Sequence, residues 1–177
     1  MPFLFSGLLF ALLPLSLGAV FFFGTVMKPD LHLRLPREKY LGILIGAVCL
    51  VWSAWHVLPM LEGGLATFQP IVKALVPTVA ALSFFFLNFL FTRALGGLMM
   101  LTATHMLHEA FIHRLPFRPV FALVCYLIAV TGMIALAFPW LFRDALEKSS
   151  ETAKWRNGVA GICGGLGILV LVFAFCG

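Results

Sequence analysis

Charge is what this chain has least of. Asp and Glu number seven in 177 residues, and charged residues of both signs make up 11%. So sparse and scattered an acid supply leaves no paired carboxylates for glycosidase chemistry and no acid–base set for phosphotransfer. There is no glycine-rich phosphate loop and no Ser/His/Asp arrangement, so catalysis by side chains alone is not expected. The four cysteines, Cys49, Cys125, Cys163 and Cys176, stand apart without CxxC or CxxxH spacing. They read as small buried hydrophobes rather than as disulfides or ligands. A solvated basic face is missing too. The net charge of +5 therefore points to loop placement and anionic lipid, and away from nucleic acid.

What the chain has in excess is hydrocarbon. Hydrophobic residues make up 62% and the mean hydropathy is +1.07, more apolar surface than a soluble fold of this length can hide. The expectation is one integral membrane domain over residues 1–177 with no soluble partner domain. The opening MPFLFSGLLFALLPLSLGAVFFFGTVM lacks a basic n-region and a small-x-small cleavage site, so it reads as a retained span. Six apolar stretches are visible, at 2–27, 40–61, 74–92, 94–112, 119–142 and 157–176. Each matches the roughly 20 residues that cross about 30 Å of hydrocarbon as a helix, and each is too long for a barrel strand. The fold class is all-α, a six-helix transmembrane bundle built from three consecutive hairpins.

Basic residues orient it. Nine of the twelve Lys and Arg fall in KPDLHLRLPREK, at Arg93, or in RDALEKSSETAKWR, leaving Lys73, Arg114 and Arg118 opposite. The positive-inside rule then makes the first set cytoplasmic and puts both termini outside, in a bacterial cytoplasmic membrane. An alternative treats 94–112 as an interfacial helix and leaves five spans. The two-residue turn at Thr92 and Arg93 is the weak joint, because no Gly or Pro occurs there until Gly96. In the last stretch Gly158, Gly161 and Gly165 share one face with a GxxxG spacing, which should meet another helix within the chain or in a partner.

The polar chemistry gathers in LTATHMLHEAFIHR, residues 101–114. At about 100° per residue, Thr102, His105, Glu109 and His113 form one stripe, extended by His108, opposite an apolar arc. His56 in SAWHVLPML runs outward to a similar depth, so two helices bring imidazoles together beneath the outer surface. Glu62 and Glu109 are the acids on that side.

Ionisable groups inside spans are costly and usually mark function. Three chemistries fit. A b-type haem needs imidazoles from facing helices, which His56 with His105 or His108 supplies, with electron exchange with a quinone. A zinc, iron or manganese site can use His105 and Glu109 with either His108 or His56. HEAFIH is HExxxH, which turns the second His about 100° from the zincin geometry. A transport path for a small solute, proton or metal ion can run along His105 and Glu109, with Ser83, Asn88 and Thr131 extending it.

Against these stands a plainer reading. The stripe satisfies itself, and the protein is a structural or scaffolding subunit packed against membrane lipids, other membrane subunits or copies of itself. His32 is expected in solvent and His113 with Arg114 at the interface. Trp52, Trp55, Trp140 and Tyr40 are expected in an aromatic belt or in helix packing.

Overall fold

The computed structural model describes residues 2–27, 35–60, 67–86, 89–112 and 118–176, and among them no strand occurs. Helix α1 runs Pro2–Ala19, passes through a π-helical turn at Val20–Gly24 and ends in Thr25–Met27. A 3-10 turn at Leu35–Arg37 leads into α2, Lys39–Met60. Then come α3 (Gln69–Phe86), α4 (Leu90–Ile112), α5 (Arg118–Ala137), α6 (Pro139–Glu151) and α7 (Ala153–Cys176). Lys39–Leu58, Pro119–Ala137 and Ala153–Phe175 are long and apolar enough to cross a bilayer. The chain is an all-α membrane protein with a bundled core.

The boundaries differ from expectation in three places. Thr92 and Arg93, expected as the turn, belong to the first helical turn of α4, and Phe89 is a turn residue just before it. With no glycine available, Phe89 takes a φ of 59°, the left-handed region that a side chain makes costly. Its carbonyl accepts the Arg93 N–H at 3.2 Å. The fifth helix stops at Ala137 because Pro139 opens the next helix at a position where its missing N–H costs nothing.

Third, most of 143–156, expected as a loop, is helical. Helix α6 buries Leu146 and Ser149 completely while Trp140, Asp144 and Lys148 stay exposed. That is the pattern of a helix lying across the end of the bundle. Its Arg143 pairs with Asp144 at 3.2 Å and Glu147 at 4.0 Å, exposed contacts that add little stability. The turn Leu35–Arg37 packs on both α4 and α6, and Thr25–Met27 also meets α6. These contacts gather the first turn of α4, the amphipathic helix and the end of α1 at one end of the molecule, where Arg93, Arg143 and Lys148 stand.

Helix α4 is central, lying against α5 and α2 and also touching α1, while α7 packs on α1 and α3 on α2. The shared core contains Phe10, Met106, Phe121, Cys125 and Val170, all at most 2% exposed. Glycines set how closely the helices cross. A Cβ on Gly96 would sit 2.6 Å from the Gly132 carbonyl oxygen, and one on Gly132 would sit 2.7 Å from that of Gly96. Backbone thus meets backbone where α4 crosses α5. Gly42 does the same against Leu90 and Phe91 where α2 meets α4, and Gly7 makes room for the Ala174 methyl where α1 meets α7.

A Cβ on Gly158, Gly161 or Gly165, expected as a packing face, would meet nothing within 4 Å among the described residues, and all three glycines are exposed. Among the described residues, α7 reaches α1 through Gly167, whose added Cβ would lie 2.6 Å from Leu15, and through Cys163 and Ala160 against Gly18.

Gly132→Val should lower the thermal midpoint of the detergent-solubilised protein, since forcing methyl groups against backbone costs about 1–3 kcal/mol or more. Gly161→Val should leave the midpoint unchanged. Equal midpoints for the two variants would contradict this helix crossing.

Candidate functional site

The α2–α4 seam places the histidines. Both helices start at the same end, where Gly42 abuts Leu90 and Phe91, and a Cβ on Gly46 would lie 3.8 Å from the Ala94 methyl. The Cys49 thiol points to the Ala94 carbonyl at 3.8 Å. Parallel helices rise together, so fourteen residues beyond Gly42 and beyond Phe91 are each about 21 Å along the seam. Those residues are His56 and His105, and they meet there. Their ring centroids are 6.0 Å apart with planes at 85°.

Trp52 completes the cluster. Its ring lies 5.6 Å from that of His105 and 6.1 Å from that of His56, distances typical of edge-to-face aromatic packing. The sequence placed Trp52 in an aromatic belt or in helix packing, not beside the histidines. The signal was the four-residue step from Trp52 to His56 in WSAWH, which puts both on one helical face.

Trp52 also sets the state of its neighbour. The His56 Nδ1 lies 3.0 Å from the Trp52 carbonyl oxygen. A carbonyl only accepts, so Nδ1 carries a proton, and in the neutral ring Nε2 keeps its lone pair. A backbone carbonyl fixing one ring nitrogen so that the other can act as ligand or base is a common arrangement at metal centres. His56 is exposed on the flank of the bundle, and His105 is half-buried.

The rest of the stripe divides. The Thr102 hydroxyl, buried, lies 2.7 Å from the Leu98 carbonyl and 3.0 Å from that of Met99, and Thr104 donates to Met100 at 2.9 Å. Both hydroxyls are thus occupied within their own helix. Glu109 stands one turn beyond His105 on the same face, half-buried, and His108 is exposed on a neighbouring face. No ring contact joins His108 to His56 or His105 among the described residues. Among those residues, too, no three His, Cys, Asp or Glu side chains gather into a metal-sized group.

Of the wider set, the Thr131 hydroxyl donates to Leu127 at 2.8 Å, Ser83 is half-buried, and Trp55 and Tyr40 are exposed. Cys49 and Cys125 are buried free thiols, and Cys163 is a half-buried one. His32, Glu62, Asn88, His113 and Arg114 lie outside the described residues.

Two imidazoles in this relation can share a proton or hold one ion between them. A metal–nitrogen bond of about 2.0–2.1 Å puts the two donor nitrogens about 4 Å apart, which ring centroids at 6.0 Å allow. The chain was compared with protein-family models, curated proteins and solved structures, and none matches it.

Cysteines replacing His56 and His105 in an otherwise cysteine-free protein should be joined by a short bifunctional thiol reagent in the membrane. A pair at positions 56 and 108 should react much less. Equal joining of the two pairs would remove the specific seam described here.

Proposed function

We propose that this protein is a small six-span subunit of a larger assembly in the bacterial cytoplasmic membrane, with both termini outside, holding a b-type haem between His56 and His105. The observation that carries this reading is the 6.0 Å approach of two imidazoles from different helices, one of them with Nε2 held open by the Trp52 carbonyl. A bare ion needs three or four protein ligands, and no such group occurs among the described residues. A haem brings four equatorial nitrogens of its own and asks the protein for two axial ones. Two facing histidines therefore suit a haem better than a zinc, iron or manganese site built on His105, His108 and Glu109.

The surroundings support the same choice. Ala47, Val48, Val51, Trp52 and Trp55 line an open apolar depression on α2 beside the pair, a surface for the edge of a planar macrocycle. Trp52 has to turn aside for the ring to enter. Because α2 meets the bundle through α4 and α3, that movement stays local. When bound, the haem would supply one-electron chemistry. The residues would ligate, orient and shield it, and Trp52 would pack on its face. Electrons would pass to a partner subunit or to a quinone in the membrane, and the helices not facing the pair serve as scaffold. The six spans correspond to α1–α5 and α7, with α6 lying along the cytoplasmic surface, where its cations and those beside it obey the positive-inside rule.

Full-length protein produced with ample haem should show a Soret band and a sharp reduced α band. His56→Ala and His105→Ala should each abolish both, while His108→Ala keeps them. Size-exclusion profiles would separate loss of ligand from loss of fold. Well-folded wild-type protein without absorbance would sink the haem assignment.

A further inference from the structure

Away from the histidine pair, α1, α4, α5, α6 and α7 enclose a cavity of about 320 Å³, within the size range of ligand sites. Leu17, Met99, Ile128, Phe142 and Leu166 are among its walls. Its one hydroxyl, Thr131, is already bonded to the Leu127 carbonyl. A space without free polar partners does not hold water well, and it forfeits dispersion contacts while empty. Its walls suit a hydrocarbon occupant.

The route in is visible from exposure. Among the wall residues, Ile162 is 66% exposed, Leu141 47% and Ile134 44%. The mouth therefore opens sideways, on the flank formed by α5, α6 and α7, where a bilayer presents lipid tails.

A second, polar observation stands at the same end. Arg156 lies one helical turn before Val159 and two before Cys163, both wall residues of α7, so it shares their face. Its Nε–H is buried and has no acceptor among the described residues. Its guanidinium sits 6.0 Å over the ring of Phe22, inside the π-helical turn of α1 whose Phe21 also walls the cavity. A π-turn interrupts a helix at a cost and occurs mostly at functional sites. A buried guanidinium N–H without an acceptor calls for an anion, and guanidinium recognises phosphate well.

We propose that the protein binds one anionic phospholipid, with an acyl chain in this cavity and the phosphate at Arg156. Helix α6 roofs the site with Phe142 and Ala145, so the lipid would join α6 to α1 and α7. This site is separate from the histidine pair and stands whether or not haem is bound.

Native mass spectrometry on the full chain, released from nanodiscs of equal phosphatidylcholine and phosphatidylglycerol supplemented with ubiquinone, tests it. The wild type should retain one phosphatidylglycerol. Arg156→Gln should lower retention about fivefold, the effect of one basic residue at an anionic surface, and Ala135→Phe, which fills the cavity, should abolish it. Because a filled cavity can perturb folding, a measurement on the unaltered chain accompanies it. Maleimide labelling of Cys163, mapped by peptide, should be slower in the mixed nanodiscs than in pure phosphatidylcholine. Retention of phosphatidylcholine or ubiquinone instead, retention unchanged in both variants, or a Cys163 rate indifferent to phosphatidylglycerol would each overturn the proposal.

Discussion

The arrangement depends on one constraint: α4 carries three threonines, an arginine, two histidines and a glutamate through the middle of the bundle, and the apolar side chains around it cannot solvate them. It is the least apolar of the long helices. Such a helix is stable in a membrane only when other helices wrap it or its polar groups are consumed internally. Both occur. The Thr102 and Thr104 hydroxyls bond back to their own helix, and α5 and α2 flank α4, which also touches α1. Close wrapping in turn requires small residues, because van der Waals contact replaces the hydrophobic effect between helices in lipid. The Gly96–Gly132 crossing and the Gly42 contact meet that requirement.

The histidine pair follows from the same seam. Once Gly42 and Gly46 hold α2 parallel to α4, equal rise per residue carries His56 and His105 to one level. The seam begins with glycine and alanine and ends with three rings, Trp52, His56 and His105. The tight end fixes register and the aromatic end carries chemistry. The exposed side of His56 keeps the pair reachable from the flank of the bundle, whereas Thr102, deeper on the same stripe, is sealed.

The basic end shows a second use of amphipathic sequence. Helix α6 is too polar to cross and too apolar on one face to float free, so it lies down, and Leu146 and Ser149 become fully buried. Its Lys148 rests 5.1 Å from the centre of the Trp155 ring. This contact ties α6 to the start of α7 across the single non-helical residue Thr152.

Composition and apolar run length determined the membrane class and the all-α fold, because a bilayer leaves the backbone few alternatives. The shared depth of His56 and His105 was also legible, since it depends only on residue counts along helices of fixed rise. Other features needed the tertiary structure. Periodicity says that Gly158, Gly161 and Gly165 share a face, but not which neighbour arrives. The neighbours came to Gly7, Gly42, Gly96, Gly132 and Gly167 instead. The turn at Phe89 was hidden because its left-handed backbone is imposed by the packing of helices on either side, not invited by a glycine. Trp52 joined the site for the same reason: the four-residue step in WSAWH puts it on the His56 face, but which face of α2 turns toward α4 is decided by the glycines a few turns away.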